Sequence, residues 1–406
     1  MSVTRDGATP YETAAISILA APWATLMEFS FSDEQLVLRA LAGRIFAARA
    51  NDDSLRGFTG QGDWIDRELW RDLAAAGLIG LPLPVECGGA GLGMLDLCIL
   101  LEEQGRCLAP APLLQTVVLA AWPTARFASS GLAADLLAGI VAGDTVLAAA
   151  LDEMGRADWR RPRAEARRDG GGWIVSGVKE NVPFAHLAKA VLVSARTDAG
   201  VVLLAVDPNA AGVEMDRQVT VSYQPQCRVR LDGVRVAAER VVAPPESGGE
   251  WIGWLEQRAM VATAALQVGI CAEALRRTAA YTSERVQFGR PIGSFQSVSM
   301  RAADAYMTVE AMRSTMWQAA WRIDAGLPAE EACRIAHWWA AAGGHRVVHT
   351  TQHLHGGVGA DADYPIHRFF LWSKQVGMTL GGEARQLQRL GSVHARHEPL
   401  AEGRDG

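Results

Sequence analysis

The sequence predicts an α+β protein of three domains: a helical domain, a small β domain and a four-helix bundle. Apolar residues recur at three- and four-residue spacing at both ends of the chain and alternate in a central stretch. The chain has 406 residues, of which 49% are hydrophobic, so it can bury more than one core. The expected boundaries are 1–27 for an N-terminal extension, then 28–145, 146–247 and 248–406 for the domains.

Composition and charge argue against several classes of function. The net charge is −6 and no basic stripe is present, so nucleic-acid binding is not expected. The six cysteines show neither a CxxC pair nor zinc-ligand spacing, which is typical of reduced thiols in a cytoplasmic protein. No uncharged apolar run reaches the roughly 18 to 20 residues that span a bilayer. We expect a globular cytoplasmic protein without a membrane span.

The first domain is predicted to begin at Ser32. Gln35 follows three residues later, which is the pattern of a helix capping box. Residues 1–27 are interpreted as an appended extension rather than a signal peptide, because acidic residues offset the basic one and no small-residue cleavage site is clear. Four amphipathic runs then predict helices up to about Gly143.

A glycine-rich stretch, "CGGAGLG" at 87–93, interrupts these helices. Its glycine spacing does not match a dinucleotide-binding fingerprint, and no βαβ unit surrounds it. We interpret it as a loop between helices.

The central domain, between about Val146 and Pro245, consists of short β-branched runs separated by turn residues. Asp232 and Gly233 predict a hairpin turn. The pattern indicates a compact β barrel or sandwich.

The C-terminal domain is helical from Trp251 onwards. Its long amphipathic runs are sufficient for an up-and-down four-helix bundle. The predicted helices lie near 251–282, 295–325, 328–352 and 366–391.

The connector between the first two of these helices combines three kinds of binding group. In "YTSERVQFGRPIGSFQSV" at 281–298, Arg285 ends one helix and Gln296 lies near the start of the next. A guanidinium, an aromatic ring and an amide can hold a diphosphate, stack on a purine and hydrogen-bond its edge, respectively. The alternative is an ordinary Gly/Pro helix turn.

This connector resembles the signature R-x-x-F-G-x-x-x-x-x-F-Q of the acyl-CoA dehydrogenase family. The resemblance extends over nearly the whole chain from Met27 and includes "GLIGLPLPVECGGAGLG", "VRLDGVRV" and "HLHGGVGADADYPIHRFF". It implies a helical domain, a β barrel and a four-helix bundle, with FAD shared between subunits of a dimer or tetramer. It also implies an acyl-CoA substrate and an electron-transfer flavoprotein or similar acceptor.

The activity implied by this resemblance is α,β-desaturation of an acyl-CoA thioester, in which a carboxylate removes the α-proton and flavin N5 accepts the β-hydride. Arg258 is expected near the substrate. The expected FAD contacts are Arg285, Phe288, Gln296, His353, Gly356 and Gly357.

Several positions depart from the family pattern. Asp152 and Glu153 remain where the β domain opens, but the Gly-Ser-Asp turn that usually follows is missing. A hydroxyl residue that usually contacts the flavin is replaced near Pro183, which offers neither hydroxyl nor N–H. His353 stands where a glutamine usually precedes the Gly-Gly loop. These departures affect positions that usually contact the flavin or the substrate.

His345, His349 and His353 share a predicted helix face. Their four-residue spacing suits a metal, but no carboxylate joins them and the family uses none. We expect no metal and interpret these histidines as lining a helix interface or the cofactor edge.

The catalytic base is the open question. The family glutamate usually precedes I-Q-R-L, and counting back from "LQRL" reaches Gly382, whereas counting forward from Lys374 reaches Leu380. Glu383 lies on neither count but is the first candidate. A second family position lies just before Arg258, where this chain has Gln257, and Glu256 is the second candidate.

A different explanation is that a partner supplies the base. The chain resembles subunits of bacterial heterotetrameric dehydrogenases that act on steroid or bile-acid side chains, in which one subunit type lacks parts of the site. Leu371 and Trp372, in place of the usual Arg-Asp, fit such a subunit and equally fit a dehydrogenase for a bulky acid. Three hypotheses remain. The first is an FAD-dependent acyl-CoA dehydrogenase, either active alone or as one half of a heteromer acting on a bulky CoA thioester. The others are a non-catalytic subunit that completes a partner's flavin site, and a flavin oxidase or monooxygenase.

Overall fold

The fold is taken from a computed structural model that describes residues 30–58, 62–155 and 158–397. The N-terminal extension expected at 1–27 lies outside these ranges. Within them, the chain forms a helical domain, a β domain and a second helical domain in that order, which confirms the predicted fold class.

The first domain is helical, as predicted. At its start, Ser32 Oγ accepts a hydrogen bond from the Gln35 N–H at 3.3 Å, and Gln35 Oε1 accepts one from the Ser32 N–H at 3.2 Å. This reciprocal pair confirms the capping box. The helices are α1 (Asp33–Arg49), α2 (Asp52–Arg56), α3 (Arg67–Ala75), α4 (Met94–Cys107), α5 (Trp122–Phe127) and α6 (Ser130–Val141).

One element of this domain was not predicted, a π-helical segment at Leu113–Ala121. Nearly all of its side chains are buried, so it lacks the two-sided pattern by which a surface helix is recognised. π-helical turns are frequent at functional sites.

The strands of the β domain are β1 (Val146–Ala150), β2 (Glu165–Asp169), β3 (Gly172–Pro183), β4 (Ala188–Thr197), β5 (Gly200–Val206), β6 (Val213–Val219), β7 (Pro225–Ala237) and β8 (Val241–Ala243). They form one eight-stranded sheet in the order β6-β7-β3-β2-β4-β5-β8, with β1 paired in parallel to β4. Trp173, Leu204 and Val229 come from distant strands but share one buried cluster, so the sheet curls around its own core as a barrel does.

The hairpin turn predicted at Asp232 and Gly233 is wrong. Both residues lie inside β7, and the pairing with β3 shifts register beside them. Gly233 has φ +63°, which glycine tolerates, and the Asp232 N–H donates to the Gly212 carbonyl at 2.9 Å. The pair forms a bulge in a continuous strand rather than reversing the chain.

The C-terminal domain contains three of the predicted long helices, while the fourth is split in two. Thr379–Gly381 separates its halves, because Leu380, Gly381 and Gly382 have φ of +59°, +92° and +66°. A regular helix cannot continue through such values. The helices are α7 (Gly248–Glu284), α8 (Gln296–Asp324), α9 (Glu330–His355), α10 (Ile366–Met378) and α11 (Gly382–His397).

Helix α7 is the central helix of the molecule. It crosses α4 at backbone contact, since a Cβ added at Gly269 would lie 2.0 Å from the Glu102 carbonyl and one at Gly105 would lie 2.2 Å from the Leu266 carbonyl. Among the described residues, the segment 245–284 is long and apolar enough to cross a membrane, but 89% of its most apolar window is buried in the fold. It is therefore interpreted as a core helix.

Candidate active site

A cavity of about 310 Å³ lies where the three domains meet. The π-helical segment, strands β1 and β3, the start of β7, α7 and the end of α10 all contribute to its wall. Its size falls at the lower end of the range typical of small-molecule sites.

The polar part of the wall consists mainly of carboxamides, which offer donors and acceptors without net charge. The apolar part includes Leu114, Leu151 and Leu380. Such a lining suits an uncharged ring system with polar groups at its edge. The carboxamides are those of Gln115, Asn181, Gln224, Gln226 and Gln375.

Asp152 is the acidic residue in the described wall. Its Oδ1 accepts a hydrogen bond from Trp159 Nε1 at 2.7 Å, and its backbone carbonyl accepts one from the Glu180 N–H at 3.0 Å. Burial raises the pKa of the Asp152 carboxyl, and the Trp159 hydrogen bond and the Lys179 charge oppose this effect. Both contacts fix Asp152 to the loop and strand around it.

The next residue, Glu153, anchors the same loop to the barrel core. The fully buried Lys179 donates to Glu153 Oε1 at 2.8 Å and to Ser194 Oγ at 3.0 Å. Glu153 also accepts hydrogen bonds from the backbone N–H groups of Arg163 and Ala164. A buried charge satisfied in this way holds its surroundings rigidly.

The stretch expected to hold the base presents Leu380 to the cavity, not a carboxylate. Leu380 lines the wall and is 8% exposed. Glu383 lies in the first turn of α11, is exposed and does not line the described wall. Gln386 Nε2 donates to the Leu380 carbonyl at 2.9 Å and holds this backbone in place.

Glu256 is buried, but its carboxylate is occupied by arginines. Arg160 Nη2 donates to Glu256 Oε2 at 2.9 Å, and Arg389 Nη1 donates to Oε1 at 3.3 Å. Arg334 Nη2 lies 3.9 Å from Oε2. This carboxylate joins α7 to the loop before β2, to α9 and to α11, and it is not part of the described cavity wall.

Arg258, expected near the substrate, packs among aromatic rings instead of lining the cavity. Its guanidinium lies 3.9 Å from the Trp254 ring centre and 5.2 Å from that of Trp122, and Nη1 donates to the Trp254 carbonyl at 3.2 Å. Burial lowers the pKa of Arg258 to about 10. Its neighbours Ala259 and Thr263 on the same helix face the cavity.

The residues expected to contact FAD lie on the surface of the chain. Arg285 and Gln296 are exposed, and Phe288 is 93% exposed. At Gly356 and Gly357, an added Cβ would meet nothing within 4 Å, so the backbone is open. His353 is exposed as well.

Tyr281 and His355 join the connector that contains Arg285 to the loop that contains Gly356 and Gly357. Their rings stack with centres 4.5 Å apart. Tyr281 lies one turn before Arg285, and His355 directly precedes Gly356.

Lys374 lies between two of the three histidines that were expected to share a helix face. Lys374 Nζ lies 2.6 Å from His345 Nδ1 and 2.7 Å from His349 Nε2, so it occupies the space between these two rings. Over the part of the chain that the structure describes, no group of three His, Cys, Asp or Glu side chains could hold a metal.

Sequence reasoning did not identify the carboxamide lining or the Tyr281–His355 contact. Gln115 belongs to the unpredicted π-helical segment, and Gln224 lies in the loop before β7, where no motif marks it. A signal did exist for Tyr281, which lies four residues before Arg285 and thus on the same face of one helix.

Comparisons with known proteins cover almost the whole chain. Three family models match in order: the acyl-CoA dehydrogenase N-terminal domain at 32–144, the middle domain at 150–234 and the C-terminal domain at 255–393. Acyl-CoA dehydrogenase FadE27 of Mycobacterium tuberculosis is 37% identical over 90% of this chain and 98% of that protein. FadE28 of the same organism is 34% identical over 81% of this chain and 93% of that protein.

Solved structures also resemble this chain over almost its whole length. A single-residue variant of the Tcur3481-Tcur3483 steroid ACAD has a TM-score of 0.85 and 44% identity, covering 90% of this chain and 98% of that one. The ChsE4-ChsE5 complex from Mycobacterium tuberculosis has a TM-score of 0.84 and 37% identity, covering 92% and 100%. These neighbours confirm the resemblance to the steroid-type subgroup. The chain belongs to the acyl-CoA dehydrogenase family of oxidoreductases.

Proposed function

We propose that this chain is one subunit of a heteromeric, FAD-dependent acyl-CoA dehydrogenase that desaturates a bulky, steroid-derived acyl-CoA thioester, and that a homologous partner subunit supplies the catalytic base. The observation that supports this proposal most is the presence of Leu380, an apolar residue, in the cavity wall at the break where a family glutamate is expected. Proton abstraction needs a carboxylate within hydrogen-bond reach of the α-carbon proton.

Neither candidate base has such access. Glu383 is exposed outside the wall, and Glu256 accepts hydrogen bonds from Arg160 and Arg389. Both carboxylate oxygens of Glu256 are thus engaged by arginines and are not part of the described cavity wall. Asp152 faces the cavity, but its contacts with Trp159 and with the Glu180 backbone indicate a positioning role.

The exposed residues fit the adenosine diphosphate half of FAD. Arg285 offers a guanidinium to the diphosphate, Phe288 offers a ring face to the purine, and Gln296 offers an amide to its edge. Gly356 and Gly357 allow phosphate oxygens to approach the backbone without a Cβ in the way. Because these groups point outward from the chain, they suit an FAD whose ring is held by a neighbouring subunit. FAD supplies the hydride acceptor of the reaction.

The cavity of this chain fits the ring half of FAD less well at one point. Pro183 lines the wall but has no N–H or hydroxyl to donate. The remaining polar contacts would come from carboxamides such as Asn181 and Gln226. We therefore assign the working flavin to the partner's cavity and the diphosphate contacts to this chain.

The proposed substrate and partner subunit are those indicated by the names of similar solved structures. One similar structure is a steroid acyl-CoA dehydrogenase, and another is a complex of two different chains. We propose that this chain likewise uses a steroid-derived acyl-CoA as substrate and a homologous dehydrogenase as partner. An electron-transfer flavoprotein or similar acceptor is proposed to reoxidise the flavin, and the cytoplasm is the proposed location.

The proposal is tested with the chain co-expressed and purified with a homologous dehydrogenase subunit. Anaerobic addition of a steroid side-chain acyl-CoA should bleach the flavin absorbance, and an artificial electron acceptor should restore it. No bleaching by any acyl-CoA would contradict dehydrogenase function and favour the non-catalytic subunit. Rapid oxygen consumption without an acceptor would favour the oxidase or monooxygenase.

A further inference from the structure

The two segments that we assign to the adenosine diphosphate of FAD come from different helices. One is the connector after α7, which contains Arg285, and the other is the Gly356–Gly357 loop after α9. Glycines provide open backbone but no side chain that could anchor the loop. A site built from two such segments needs a contact that fixes the distance between them.

Tyr281 and His355 make that contact. Their ring centres are 4.5 Å apart and their planes differ by 22°, which is a stacked arrangement. The Tyr281 hydroxyl also lies 3.5 Å from the His355 carbonyl oxygen and donates to it. The Tyr281 carbonyl accepts a hydrogen bond from the Arg285 N–H at 2.8 Å. The backbone of the connector and the start of the glycine loop are thus joined through one pair of rings.

The orientation of the histidine ring is itself fixed. His355 is 3% exposed, and its Nδ1 lies 2.8 Å from the Thr351 carbonyl, so Nδ1 holds the proton and donates it. The Tyr364 ring closes another side of the imidazole, with its centre 5.4 Å away. Rings held by packing and hydrogen bonds on several sides can position a neighbouring loop without touching the ligand.

We propose that Tyr281 and His355 are positioning residues for FAD, whose stack keeps Arg285 and the Gly356–Gly357 loop at the spacing that one diphosphate requires. This inference rests on the proposed function, because it assumes that these segments bind FAD. Preorganisation of this kind lowers the entropy cost of binding. Loss of the stack therefore weakens FAD binding without removing any group that contacts FAD.

The test uses the complex with the homologous subunit, stripped of flavin and titrated with FAD while flavin fluorescence is followed. Tyr281→Leu, which removes the stack, should raise the FAD dissociation constant about tenfold, and Tyr281→Phe, which keeps the rings stacked, should stay within about twofold of the parent. At saturating FAD, the KM for acyl-CoA should be unchanged in both variants. If Tyr281→Leu fails to assemble, His355→Leu against His355→Phe makes the same comparison from the other ring.

Arg285→Ala separates failure of the inference from failure of the proposed function. If Arg285→Ala weakens FAD binding but both leucine variants bind FAD as the parent does, the positioning role is wrong and the proposed function stands. Equal loss of affinity in Tyr281→Phe and Tyr281→Leu would also overturn the positioning role, because the stack is kept in one of them. If Arg285→Ala and both leucine variants all leave FAD affinity unchanged, the proposed FAD contacts themselves are wrong.

Discussion

Leu380 lies in the wall of the cavity, whereas Glu383, three residues later, is exposed on the first turn of α11. The cause is the run of positive φ angles at Leu380, Gly381 and Gly382, which separates α10 from α11. This arrangement places an apolar residue in the cavity wall and leaves the nearby Glu383 exposed. It is the structural basis for assigning the base to a partner subunit.

Glu383→Gln should leave turnover of the complex within about twofold of the parent, because a residue outside the cavity makes no contact with the reacting atoms. The measurement is steady-state oxidation of the acyl-CoA with an artificial electron acceptor. Removal of a true general base lowers kcat by about a hundredfold or more, and such a loss in Glu383→Gln would restore Glu383 as the base.

Asp152→Asn should also keep most of the turnover. The amide oxygen can still accept the Trp159 hydrogen bond, so the loop should stay in place. The matched control is Asp152→Ala, which cannot accept it and should lower the free energy of unfolding in urea more than Asp152→Asn does, by loosening the loop. If Asp152→Asn instead lowers turnover about a hundredfold or more, and rate measurements place the loss in flavin reduction, then Asp152 itself is the base and the partner is not needed for proton abstraction.

Glu256→Gln should destabilise the protein by about 2 kcal/mol, because it leaves arginines from three elements around a buried neutral group. Arg160 is partly exposed, so this figure is below that of a fully buried pair. The free energy of unfolding is measured by urea denaturation. Glu383→Gln serves as the control, since an exposed glutamate should change it by less than about 0.5 kcal/mol.

His337 should make the stability depend on pH. Burial lowers its pKa from 6.5 to about 4, opposed in part by the Thr379 backbone. The folded state therefore favours the neutral imidazole. The stability that neutral His337 contributes is fully present above pH 6.5 and falls as the pH drops from 6.5 towards 4. The slope approaches about 1.4 kcal/mol per pH unit.

His337→Leu is the variant that checks this assignment. It should remove this part of the pH dependence between pH 6.5 and 4 when unfolding is followed in urea at each pH. An unchanged slope in His337→Leu would mean that other groups cause the acid sensitivity.

The elements of the fold were largely predictable because they depend on local patterns. The capping box at Ser32 and Gln35 and the alternating strands are encoded in short stretches. The errors arose where a longer-range constraint decides the geometry. Gly233 forms a bulge rather than a turn because β7 continues its pairing with β3. The break at Leu380 depends on backbone angles that hydrophobic periodicity does not reveal.

The candidate site was less predictable than the fold. Residue types near Arg285 and Gly356 indicated FAD contacts, but only the three-dimensional contact between Tyr281 and His355 joins these segments. Counting residues gave Gly382 or Leu380 for the base position, and it could not decide which of them faces the cavity. The environment of Glu256 could not be predicted either, because the arginines that contact its carboxylate lie far away in the sequence.

A shared active site is tested most directly by the flavin content and turnover of this chain with and without its homologous partner. We expect the chain alone to hold little FAD and to show no acyl-CoA oxidation, and the co-purified complex to hold one FAD for each pair of different subunits and to turn over. If the chain alone binds one FAD per subunit and oxidises an acyl-CoA, it has a complete active site and the claim of a shared one is wrong.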